Sequence, residues 1–92
     1  MKKSVKVMIE GRVQGVWYRS WTVETARGLG LDGWVRNRRD GSVQAVFSGP
    51  NDAVEEMLRL CAEGPSSATV SSVEYIPHDS PVPVGFRIKP SV

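Results

Sequence analysis

Residues 33–49 read GWVRNRRDGSVQAVFSG. Asp40-Gly41 stands there between two strand-like runs, GWVRN (33–37) and SVQAVFSG (42–49). Asp-Gly in that setting is a strong hairpin signal, because a tight turn of the right twist needs positive φ. The two runs are therefore expected as paired strands, the second and third of the chain.

A helical pattern lies on each side of this hairpin. Upstream, SWTVETARGLGL (20–31) places Trp21, Val23, Ala26 and Leu29 near helical spacing. Gly30 followed by Leu31 forms a helix stop with its hydrophobic contact. Downstream, PNDAVEEMLRLCAEG (50–64) puts Val54, Met57, Leu58 and Cys61 on one face. Asn51 or Asp52 is expected to cap its start, and Gly64-Pro65 ends it. Further out, Val5, Val7 and Ile9 alternate with Lys6, Met8 and Glu10, which makes a first strand. ATVSSVEYI (68–76) is expected as a fourth strand and VGFRIK (84–89) as a fifth, separated by a loop from Pro77 to Pro83. The order β-α-β-β-α-β is that of the ferredoxin-like split βαβ sandwich, an α+β fold with an antiparallel sheet and two helices on one face.

The chain has 92 residues and 40% hydrophobic composition, which fits one domain over residues 1–92 with one small core. A net charge of +2 and a pI near 9.0 are mildly basic and do not by themselves imply a nucleic-acid partner. Cys61 is the single cysteine. It excludes an intramolecular disulfide and a thiolate metal cluster, and a reducing, cytoplasmic compartment is the simpler setting. Lys6 and Glu10 interrupt any apolar core of a signal peptide, and no stretch is long enough to cross a membrane.

The segment between the first strand and the first helix, GRVQGVWYR (11–19), carries the chemistry. The first N–H groups of a helix lack intrahelical partners, and the positive end of the helix dipole adds to them. A loop that closes there turns several amides inward as an anion nest. Gly15 permits φ values closed to other residues, and Arg19 supplies a planar fork of donors suited to phosphate oxygens. The segment therefore reads as a cradle for a phosphate-sized dianion. A plain strand-to-helix turn, with Gly11 as a bulge and Arg19 solvated, is the alternative. No Gly-Lys-Ser/Thr follows, so it is not a Walker A loop.

IEGRVQGVWYR (9–19) and GWVRNRRDGSVQAVFSG (33–49) together resemble the two signature regions of the acylphosphatase family. The resemblance implies hydrolysis of acyl phosphates to carboxylate and inorganic phosphate, without a cofactor or metal. It implies that Arg19 binds the phosphate and that Asn37 orients the attacking water. The main chain of Gln14, Gly15, Val16, Trp17, Tyr18 and Arg19 would form the phosphate loop. Tyr18 stands where phenylalanine is usual in the family. Arg38 and Arg39 follow the asparagine where many members carry smaller polar residues.

This chemistry suits the residues present. The departing carboxylate is a weak base, with a pKa of about 4, and needs little help from a general acid. The sequence offers no obvious acid–base pair and no carboxylate cluster for Mg²⁺. His78 reads as a solvated loop residue, and Cys61 as core. Arg36, Arg38 and Arg39 read as a solvated hairpin end, or more sharply as a device that steers anions to the mouth. Trp17 lines the acyl side or covers the loop; Trp21 and Trp34 read as packing residues. The expected partner is a small acyl phosphate, with inorganic phosphate as product and competitive inhibitor. No nucleic acid or membrane is expected, and the chain is expected to be a monomer. A non-catalytic phosphate-binding module of the same fold is the competing function. An RNA-binding ferredoxin-like domain would need an aromatic run on strand three, where only Phe47 stands.

Overall fold

A computed structural model of the chain describes residues 2–92. Its elements are β1 (Lys2–Arg12), α1 (Tyr18–Gly28), β2 (Asp32–Asn37), β3 (Val43–Pro50), α2 (Asn51–Glu63), β4 (Thr69–Pro77) and β5 (Phe86–Ile88). The hairpin forms where Asp40-Gly41 placed it, with Asn37 opposite Val43. The Gly41 N–H bonds the Arg38 carbonyl, the Arg38 N–H bonds the Ser42 carbonyl, and Gly41 takes φ 93°. This is a three-residue loop with a glycine bulge, one of the favoured hairpin connections. Asp40 secures it by accepting from the Ser42 N–H at 2.9 Å and Ser42 Oγ at 2.6 Å.

The sheet order is β4-β1-β3-β2-β5. The first four of these strands pair antiparallel, as expected. β5 instead pairs parallel with β2, Gly33 opposite Phe86, so the sheet is mixed. The path of the chain explains it. β4 ends beside Val5, at the end of the sheet where β2 begins. The segment after Pro77 crosses that end and starts β5 next to the start of β2, running the same way.

Both helices cover the face that carries Val5, Val7, Ile9, Val35, Val43, Ala45 and Phe47, and these close the core with Val23, Ala26, Val54, Met57 and Cys61. Phe47 stacks on Phe86 with centroids 5.5 Å apart, so the one aromatic of β3 lies inside. Trp21 packs against the core and on Tyr18 at 5.3 Å. Trp34 also packs, but on the opposite face of the sheet, with Arg36 Cζ 4.8 Å and Lys89 Nζ 4.6 Å from its ring centroid. Burial pushes the Cys61 thiol up to about 12, outweighing the lowering effect of the neighbouring Tyr18 hydroxyl, so it remains a protonated core group.

Two helix boundaries differ from expectation. α1 starts at Tyr18 rather than Ser20, and Gly30 (φ 72°) ends it through a Leu31 N–H bond to the Ala26 carbonyl at 2.9 Å and a Gly30 N–H bond to Arg27 at 3.1 Å. α2 has Pro50 at its N-cap and no side-chain cap. Neither Asn51 nor Asp52 takes that role: the Asp52 carboxylate accepts the Ala53 N–H from within the first turn.

Candidate functional site

The turn from β1 into α1 is built by alternation. Val13, Val16 and Tyr18 point inward and are buried, whereas Gly15 and Trp17 point out. Gly15 has φ 72° and Trp17 φ 69°, two left-handed residues that curl the chain around Val16. Gly15 has open space where a Cβ would stand. Gly11 plays a different part. It sits at a register shift between β1 and β4, and a Cβ there would lie 2.2 Å from the Thr69 carbonyl oxygen. It is the bulge that brings β4 close, outside the cradle.

Three contacts hold the loop. Ser67 Oγ donates to the Val16 carbonyl at 2.8 Å. Gln14 Nε2 donates to the carbonyls of Arg38 at 2.7 Å and Ser42 at 2.8 Å, fastening the loop to the β2–β3 hairpin. The Tyr18 hydroxyl donates to the Cys61 carbonyl at 2.7 Å. The last contact has a local cause. Residue 65, four past Cys61, is a proline without an N–H, so that helical carbonyl has no backbone donor. Burial first, and then the neighbouring Cys61 side chain, raise the Tyr18 pKa far above that of a free phenol, and it stays neutral.

The N-terminus of α1 has no side-chain cap and no acidic residue in its first turn. The Trp21 N–H is the first to bond back, to the Trp17 carbonyl at 2.9 Å. The amides of Tyr18, Arg19 and Ser20 therefore have no intrahelical acceptor, and the positive end of the dipole is unopposed by an anion. These residues border a cleft of about 170 Å³ that also receives Arg19, Asn37 and Ile88.

Asn37 is the last residue of β2. Its backbone is held from both sides, by pairing with Val43 and by the Val92 N–H on its carbonyl at 3.1 Å. Its side-chain Oδ1 is buried and makes no hydrogen bond. A buried amide oxygen left unpaired is unfavourable by about 1–3 kcal/mol, and native sites commonly supply a water or ligand for it. The cleft is thus bordered by the uncapped start of α1, by Arg19 and by Asn37, whose carboxamide oxygen is unpaired.

The other sequence candidates lie elsewhere. His78 follows β4 at the opposite end of the sheet, its N–H on the Ser4 carbonyl. Arg36 Nε bonds Gln44 Oε1 on the face away from the helices. Arg38 lies 3.9 Å from Asp40. Ile88, Ser67, Val92 and the side chain of Gln14 were not anticipated in these places. All four are positioned by contacts distant in sequence, and no local pattern announces them.

A model of the acylphosphatase family matches residues 5–88. The chain belongs to this family. It is 58% identical over 90 residues to an acylphosphatase of Rhodospirillum rubrum, covering 98% of this chain and 99% of that one. It is 52% identical over 87 residues to an acylphosphatase of Rhizorhabdus wittichii, covering 95% and 88%. Among solved structures, an acylphosphatase from Coxiella burnetii superposes with a TM-score of 0.92 at 32% identity, covering 96% of this chain and 93% of that one. The acylphosphatase family and the ferredoxin-like fold expected from the two signature segments are thus both observed. No helix is long and apolar enough to cross a membrane among the described residues.

Proposed function

We propose that this acylphosphatase-family chain, acting as a single domain and a monomer in a reducing cytoplasmic setting, hydrolyses acyl phosphates without a metal ion. The observation that carries the reading is the meeting of Arg19, Asn37 and the uncapped start of α1 in one cleft. The amides from Gln14 through Arg19 and the Arg19 guanidinium hold the phosphoryl oxygens. For phosphoryl transfer, positioning and charge stabilisation are most of the catalysis. Asn37 holds a water through its carboxamide, whose unpaired Oδ1 can accept a hydrogen bond from that water.

The water oxygen forms a bond to phosphorus as the phosphorus–oxygen bond to the acyl group breaks. The carboxylate leaves with the electron pair. Asn37 does not ionise near neutral pH, so the water proton passes to a phosphate oxygen of the substrate itself. Inorganic phosphate, the product, competes for the cradle.

Turnover of benzoyl phosphate in heavy-oxygen water tests the reading. Label in the inorganic phosphate supports attack at phosphorus; label in benzoate overturns it. Phosphate binding with no turnover would instead leave a non-catalytic anion-binding module.

A further inference from the structure

Trp17 is the one residue other than glycine with a left-handed backbone among those described, and its side chain is 79% exposed. A bulky residue in that conformation is disfavoured, and such strain persists where the surroundings impose it, commonly at functional sites. Burial does not offset the strain here, because the indole stands in water. Ile88 presents a second exposed apolar side chain, 46% exposed. Strand alternation puts it on the same face as Phe86, which is buried. Phe86 meets the core, whereas Ile88 reaches beyond it.

Single exposed apolar residues are ordinary. These two come from opposite ends of the sequence and border the same cleft as Arg19 and Asn37. That cleft, at about 170 Å³, is smaller than the roughly 300–1,000 Å³ that enclose a drug-sized ligand. A phosphoryl group held by the amides and Arg19 occupies its polar part, so the group attached to the phosphate must lie along the rim. Trp17 and Ile88 supply apolar surface there and no charge.

We infer that Trp17 and Ile88 form the acyl subsite, and that the preferred substrates are acyl phosphates with an aromatic or bulky apolar acyl group. Acetyl and carbamoyl phosphates engage the cradle alone. This deepens the hydrolytic reading above and rests on it. The bonds made and broken are unchanged; only the fit of the departing carboxylate is selected.

The test measures kcat/KM for benzoyl and acetyl phosphate in the wild type, Trp17→Gly, Trp17→Phe and Ile88→Ala. Glycine accepts the left-handed backbone, so the loop conformation survives loss of the indole. Comparing each variant's benzoyl-to-acetyl ratio with that of the wild type cancels the intrinsic reactivity of the two acyl phosphates. The ratio should fall about tenfold in Trp17→Gly and about threefold in Ile88→Ala, the scale of lost apolar contacts. Trp17→Phe should keep most of it. A ratio within about twofold of wild type in Trp17→Gly, with both substrates falling together, would show that the indole supports the loop and overturn the subsite. A wild type that binds phosphate and turns over neither substrate would remove the hydrolytic reading, and the subsite with it.

Discussion

Gln14 Nε2 donates to the Ser42 carbonyl oxygen at 2.8 Å, across the gap between the loop before α1 and the hairpin after Asn37. With a second bond to Arg38 at 2.7 Å, one side chain sets the spacing between the phosphate cradle and the residue proposed to hold the water. An error of about 1 Å in such spacing can lower a rate 100-fold.

Replacing Gln14 should therefore affect turnover more than phosphate affinity. Gln14→Ala is expected to lower kcat at least tenfold while the inhibition constant of inorganic phosphate changes less. It should also lose about 1 kcal/mol of stability, since the Arg38 and Ser42 carbonyls each lose a second donor but keep a backbone one. Steady-state kinetics with phosphate inhibition, alongside denaturant unfolding, measures both. Equal losses in kcat and phosphate affinity would place Gln14 in the cradle itself.

Gly11 and Gly15 lie four residues apart but should fail differently. Gly11→Ala sets a Cβ 2.2 Å from the Thr69 oxygen and should cost about 3 kcal/mol, with chiefly thermal consequences. Gly15→Ala meets nothing within 4 Å but must hold φ 72°. It should cost about 1–2 kcal/mol, and its methyl should weaken phosphate binding. Unfolding curves and phosphate inhibition for the two variants separate these outcomes. Similar profiles would refute the assignment of one to the sheet and the other to the cradle.

Tyr18→Phe deletes the hydroxyl that serves the Cys61 carbonyl, leaving that buried oxygen without a donor because residue 65 is proline. The expected loss is about 1–2 kcal/mol, read by urea unfolding. No loss would mean that a water serves the carbonyl equally well.

Two pH dependences follow from the groups present. Arginine and asparagine side chains do not titrate near neutral pH, and His78 stands at the far end of the sheet. The kcat profile should be nearly flat there; a limb that disappears on substitution of His78 would contradict this. Stability should behave differently in acid. Ser42 Oγ and then the Ser42 N–H hold the Asp40 carboxyl below its ordinary value. Its contribution is thus present above the unfolded pKa of about 4 and lost as pH falls through the lower folded value. The stability difference between wild type and Asp40→Ala should accordingly shrink below that range.

These residues also show which features local sequence could announce. Asp40-Gly41, Gly30-Leu31 and the strand alternation are short-range signals, and each produced its element. Gly11 and Gly15 lay in a quoted motif, and their positive φ values match the freedom that glycine provides. α1 starts two residues before the stretch in which apolar spacing shows it, because Trp17, not a Ser, Thr, Asp or Asn, precedes it and no capping side chain marks the boundary. The parallel course of β5 depends on how the chain crosses the end of the sheet, which strand alternation does not encode. Trp34 was expected to pack, but its face followed from strand register and the cations beside it. The Gln14 bonds join residues distant in sequence, and the indole of Trp17 carries no sign of its exposure.

The most direct test follows benzoyl phosphate hydrolysis in EDTA, with wild type, Arg19→Ala and Asn37→Ala side by side. Metal-independent turnover is predicted for the wild type. Asn37→Ala should lose mainly kcat while inorganic phosphate still binds, and Arg19→Ala should lose phosphate binding as well. Near-normal turnover by Asn37→Ala, or wild-type activity abolished by EDTA, would contradict the account.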